Sequence, residues 1–244
     1  KVYMDASGDM CFDIDDDATW TPDDTACTSG IDYDDNNWHH IAAIKTGTTK
    51  IELFVDGLLV AGDSTIAASG TLANTNGFYV GIDRDGTSNG WDGYIDEVRV
   101  IKGRALTVEE IKAAASRRPY AVYTSPVVDA SASVRWDTVN WTEGGVNTGN
   151  GEQPYNTSSL VAQWDFNDTS GTTLTASSSG SCTTACNGAL TNFAYTASQD
   201  QATTTTGWTA NNKKWGAGAL MMESAASADY VSVSDPASNV LDPN

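Results

Sequence analysis

Phe78–Val100 reads FYVGIDRDGTSNGWDGYIDEVRV, and its reading decides the fold. Phe78, Val80 and Ile82 alternate with Tyr79, Gly81 and Asp83. Further on, Tyr94, Asp96, Val98 and Val100 alternate with Ile95, Glu97 and Arg99. A period of two is the signature of a strand with one face buried, so two strands are expected, joined by a Gly/Asp/Asn/Ser loop that carries Trp91. The second strand runs on into VIKGRALTVEEI at 100–111. There Thr107 and Glu110 have the spacing of a capping box, which predicts a short helix over Val108–Arg117 that ends ahead of Pro119.

Upstream, KVYMDASGDMCFDID at 1–15 reads as a hairpin, with Val2 and Met4 answered by Met10, Phe12 and Ile14. The Asp-rich stretch that follows to Asn37 is expected to be a long surface loop. Trp38–Ile44 is expected as a strand, and Lys50–Ala61 as a hairpin turning at Asp56-Gly57, a two-residue turn signal. Ser64–Leu72 is either a short strand or a crossing loop.

The run WHHIAAIKTGTTKIELFVDGLLV at 38–60, followed by FYVGIDRDG, WDGYIDEVRV and RALTVEEI, resembles the end of a laminin G-like, concanavalin A-like jelly roll of bacterial-type surface proteins. The resemblance covers 1–117. After a Gly/Asn-rich stretch the composition resets. SLVAQWDF (159–166), NGALTNF (187–193), KKWGAGALMM (213–222) and ADYVSVSD (228–235) resemble the beginning of the same jelly roll. Asp168 and the MetMetGluSer run depart from the usual pattern. The resemblance implies an all-β fold of antiparallel jelly-roll sandwich halves, with one short helix. It divides the chain into a C-terminal half (1–117), a connector with short strands (118–158) and the N-terminal half of a next jelly roll (159–244).

The second half of the fold thus precedes the first, and roughly two strands of the full sandwich are missing between them. Three arrangements are compatible with that order. The chain is a segment of a tandem array, or a circular permutant, or its halves are completed head to tail by other copies. An uncovered half-sandwich exposes strand edges, which favours completion by neighbouring sequence or subunits. On that reading residues 160–244 lie apart from residues 1–117 of their own chain.

Charge narrows the partners. Thirteen Lys and Arg face 32 Asp and Glu, a net −19, which repels nucleic acid and anionic membrane surfaces. Much of the excess sits in Asp13, Asp15–Asp17, Asp23, Asp24, Asp32, Asp34 and Asp35, where solubility or cation binding is the use. DIDDD at 13–17 lacks the Gly and Glu offsets of an EF-hand loop. No apolar window is long enough to span a bilayer, and with no signal peptide and Lys1 in first place the chain is expected to begin mid-protein.

Four cysteines, Cys11 and Cys27, then Cys182 and Cys186, suggest two local disulfides in an oxidising compartment, with free thiols or a metal as alternatives. An extracellular or cell-surface location follows. His39 and His40 are adjacent and so point to opposite faces of a strand, which argues against joint ligation.

No GxSxG, HExxH, P-loop or GxGxxG motif is present. The acidic triplet alternating along one strand in related glycosidases is missing too, so no enzyme is expected. The resemblance implies a structural calcium ion held by Asp96, Asp165 and Asn187. Trp20 and Trp91, in loops, are candidate sugar contacts, although packing is the commoner use of such residues. Asn140, Asn156 and Asn167 match glycosylation sequons in a Ser/Thr-rich chain. The expected function is a non-enzymatic structural or adhesive module of an extracellular repeat or filament protein. Its partners are other copies or adjacent repeats, and glycans are a further candidate. The alternative is a carbohydrate-binding accessory module of a larger secreted enzyme.

Overall fold

The computed structural model describes residues 1–17, 21–70, 72, 77–83, 89–116, 131, 157–177, 180–200, 205–224, 227–234 and 240–241. Most of the connector expected at 118–158, and Trp20, lie outside them. Strands β1 (Val2–Met4), β2 (Met10–Ile14) and β3 (Asp24–Cys27) form one antiparallel sheet, with β2 central. The hairpin of the first residues is therefore present. The Asp-rich stretch is not all loop, however, because β3 lies within it and pairs with β2 at Cys11↔Cys27. The Cys11–Cys27 disulfide closes that pair.

Strands β4 (Ile41–Thr46), β5 (Lys50–Val55) and β6 (Leu58–Asp63) form a second sheet. Asp56 and Gly57 both have positive φ, 50° and 82°, as a tight two-residue hairpin turn requires. The expected strand from Trp38 begins only at Ile41, because the preceding residues are engaged in side-chain contacts with the Asp-rich loop and the turn. Being central, β5 is buried on both faces. Ile51, Leu53 and Val55 join Met10, Phe12 and Ile14 in one core, while Phe54 meets Ile44 and Ile111 on the other side. Ile111 belongs to α1 (Val108–Ala115), whose capping box of Thr107 and Glu110 forms as the spacing implied. Ser64–Gly70 is irregular; the buried Asp24 carboxylate accepts the amides of Ala67 and Ala68 at 2.6 and 2.8 Å. Several other aspartates of the acidic stretch likewise satisfy backbone N–H groups, so acidity here holds loops in shape as well as keeping the surface charged.

The remaining strands are β7 (Phe78–Val80), β8 (Gly93–Ile95), β9 (Val98–Ile101), β10 (Leu160–Trp164), β11 (Thr173–Leu174), β12 (Gly188–Thr191), β13 (Tyr195–Asp200), β14 (Gly207–Thr209), β15 (Ala219–Met222) and β16 (Tyr230–Val233). Their pairing corrects the expectation that the two halves lie apart. β10 pairs antiparallel with β9, β15 with β8, and β16 with β7, all within the chain. Lys102 N donates to Ser159 O, and Arg104 Nε to Ser158 O, extending the β9–β10 contact. Open edges seek the nearest complementary edge, and a tethered one has the higher effective concentration.

The sheets run β11-β12-β16-β7 and β13-β14-β15-β8, antiparallel throughout except for the parallel pair β13–β14. The core between them holds Trp164, Phe166, Leu174, Trp208, Leu220, Met222, Val231 and Val233. Phe78, Val80, Ile95, Val98 and Val100 pack into it from the first half.

The strand expected over Tyr94–Val100 is broken. β8 and β9 belong to different sheets, and between them Glu97 takes a left-handed φ of 57°. Asp96-Glu97 is the corner at which the chain crosses from one sheet to the other.

Candidate functional site

The corner at Asp96-Glu97 and the end of the β9–β10 ladder gather a cluster of half-buried charged residues. In the ladder Gln163 stands opposite Arg99 and Trp164 opposite Val98. Alternation puts Trp164 in the core and turns Gln163 and Asp165 the other way. On that side Arg99 Nη2 donates to Glu97 Oε2 at 2.7 Å, with side chains only 15% and 8% exposed. Gln163, 2% exposed, donates from Nε2 to Asp165 Oδ1. Burying a polar group without a partner costs free energy, so this set is arranged to pair internally.

Burial shifts the carboxyls. Asp96 is pushed up to about 7, chiefly by desolvation and further by the charge of Glu97, against the hydrogen bonds from the Trp215 and Lys214 amides. Asp165 is raised by burial and by Glu97, while Gln163 and Arg99 oppose the shift. Glu97 is committed to a permanently cationic partner. Asp96 and Asp165 are the groups able to exchange a proton or accept a cation.

Asp96 also ties the two halves together. Its Oδ2 accepts from Lys214 N at 2.9 Å and Trp215 N at 2.8 Å, while its Oδ1 is buried without a hydrogen-bond partner. Asp165 borders an open cleft of about 210 Å³ that Asn167, Asp168, Thr175 and Ser177 also line. Asn187 Oδ1 accepts from Ala176 N, on the same cleft, at 2.9 Å. The structure thus puts Asp165 on the cleft, Asn187 behind it through Ala176, and Asp96 at the corner between β8 and β9. All three offer oxygen, the donor a hard cation takes, and the orphaned Asp96 Oδ1 fits a cation. Among the described residues no group of three His, Cys, Asp or Glu side chains comes together as a metal cage, so Asn187 and further oxygens would have to complete the shell.

Trp91 is not a presented platform. It packs against the core, its indole nitrogen beside Gly93, and its Nε1 is buried without a hydrogen-bond partner. Cys11–Cys27 and Cys182–Cys186 are both disulfide-bonded, as the local spacing suggested. A search for alternating carboxylates along one strand could not find the Glu97–Arg99–Gln163–Asp165 set, because two strands remote in sequence contribute to it. Polar residues at alternate positions of two otherwise apolar strands are the signal that could have found it.

Residues 1–112 match the family model described as the concanavalin A-like lectin/glucanases superfamily. No curated protein and no solved structure matches the chain. That match fits a carbohydrate-binding or structural module. The two disulfides fit a secreted or extracellular protein. Among the described residues no helix is long and apolar enough to cross a membrane. With their hairpin at Asp56-Gly57, their corner at Asp96 and their capped helix, residues 1–112 are similar to the laminin G-like domains of the concanavalin A-like lectin/glucanase superfamily.

Proposed function

We propose that the chain is a non-enzymatic structural or adhesive module of an extracellular protein, joined to neighbouring repeats or to copies of itself. The observation that supports this best is where the tryptophans are spent. Trp164 and Trp208 are fully enclosed, Trp215 is 7% exposed, Trp91 packs on the core and Trp38 lies against Tyr94. No described tryptophan is left as a stacking platform for a sugar ring. Because β10, β15 and β16 close on the first half in cis, association would run through exposed outer strands instead. β4 and β6 end their sheet, and Leu58 and Leu59 on β6 are 63% and 56% exposed.

A structural calcium ion belongs to this reading. Asp165 at the cleft, Asn187 behind it and Asp96 at the corner are the residues that would hold it. Its charge would offset the surplus of buried carboxylates over the single Arg99.

Light scattering and electron microscopy at rising protein concentration test the proposal, with a glycan array beside them. Ordered association without added sugar, and an array without binding, are expected. Saturable sugar binding that Trp91→Ala abolishes in a folded protein overturns the proposal in favour of a carbohydrate-binding accessory module.

A further inference from the structure

His39 stands between two carboxylates, one on each ring nitrogen. Nδ1 lies 2.7 Å from Asp56 Oδ2 and Nε2 lies 3.0 Å from Asp35 Oδ1. Both carboxylates are fixed by other bonds. Asp56, in the β5–β6 turn, accepts the His40 amide on Oδ1 at 2.8 Å, and its own amide donates to His40 O. Asp35 accepts the Asn37 amide and side chain, each at 2.9 Å. A neutral imidazole donates through one nitrogen only, and an ionised carboxylate only accepts. The arrangement is therefore that of an imidazolium making two charge-assisted bonds.

The groups around the ring agree. Tyr33 meets it edge-on at 5.2 Å, with Asp9 and Asp56 acting on the Tyr33 phenol. Across the turn, Lys112 of α1 packs against Gly57. Burial by itself lowers the His39 pKa, but the bonds and charges of Asp56 and Asp35 overcome it and raise the value. The acidic loop is fastened at its other end by Asp9, which accepts from Thr28 Oγ1 and the amides of Gly30 and Ile31.

We propose that His39 is a proton-operated clasp that ties the acidic loop at Asp35 to the β5–β6 turn at Asp56 and lets go of Asp35 when it loses its proton. The proton that remains stays on Nδ1, where the bond to Asp56 is the shorter one. Residues 31–37, carrying Asp32, Asp34 and Asp35, then keep the bond from Tyr33 N to Gly8 O but lose the one at Asp35. Acidic surroundings order this exposed carboxylate surface, and neutral to alkaline surroundings loosen it.

The chain has two histidines, so nuclear magnetic resonance follows both rings during a pH titration. The expected midpoint for His39 lies above the ordinary value of about 6.5. Amide exchange at residues 35–37, corrected for intrinsic base catalysis, should become about tenfold faster across that midpoint, as losing one charge-assisted hydrogen bond allows. Asp35→Asn lowers the midpoint and removes the exchange step. His39→Gln removes the step as well. Should His39→Gln fail to fold, Asp35→Asn, a change on the exposed loop, carries the test. A midpoint at or below 6.5, or loop exchange that ignores His39 protonation, overturns the clasp.

Discussion

Trp164→Ala removes the side chain on which the two halves of the chain meet. The indole is fully enclosed, stacks on Phe78 of β7 with ring centroids 5.4 Å apart and an interplanar angle of 8°, and donates from Nε1 to Cys186 O at 2.8 Å. Truncating a buried tryptophan to alanine costs about 3–5 kcal/mol in lost burial and cavity. Part of this is the aromatic stack, worth about 0.5–1.5 kcal/mol. The carbonyl of Cys186 is left without that donor, which costs about 1–3 kcal/mol more. A loss of about 5 kcal/mol is comparable to the whole net stability of a typical domain, about 5–15 kcal/mol. Trp164→Phe keeps a ring against Phe78 and should lose about 1–3 kcal/mol, mainly through the missing N–H. Urea unfolding followed by near-ultraviolet circular dichroism gives the comparison. Because β7, β8 and β9 lose their partners together, the first half should unfold in the same transition. A Trp164→Ala protein within about 1 kcal/mol of the parent, or one whose first half keeps its own unchanged transition, refutes the closure of the two halves on each other.

Replacing Cys11 and Cys27 by serine opens a loop with a sequence separation of 16. It should cost about 3 kcal/mol, measured by denaturation, whereas opening Cys182–Cys186 should cost less; the reverse order would contradict a chain-entropy origin. With chelator present, Asp96→Asn should flatten the dependence of stability on pH. The buried carboxyl holds its proton more tightly when folded, so stability is fullest below the unfolded value near 3.8 and is withdrawn as pH rises through about 7. The rise bounds the effect at about 4 kcal/mol, taking about 1.4 kcal/mol per pH unit. Parallel curves for the two proteins would count against it. Chelation should lower the melting temperature of the parent and not of Asp165→Ala, since an ion bound only to the folded state stabilises it; identical parent curves with and without chelator remove the calcium proposal. Cysteines placed at Val100 and Ala162, which are register partners, should cross-link within one molecule. A dimer on a non-reducing gel would show the ladder formed between copies.

What the sequence determined by itself is local. The Thr107–Glu110 capping box, the Asp56-Gly57 turn, the first hairpin and the two cysteine pairs all depend on residues a few to some sixteen positions apart, and each is in the structure as its spacing implied. Period-two alternation marked the strands, because a half-buried strand must alternate whatever lies beside it. Alternation does not name the neighbour. That β9 pairs with β10, β8 with β15 and β7 with β16 was decided by which edges meet once the chain closes, a choice that loop entropy and core complementarity make over long separations. The same closure broke the Tyr94–Val100 strand at Glu97 and set Arg99 opposite Gln163. The β5–β6 turn, folded back on His40, set His39 between Asp35 and Asp56. Such juxtapositions exist only after the backbone has folded, so no spacing along the sequence records them.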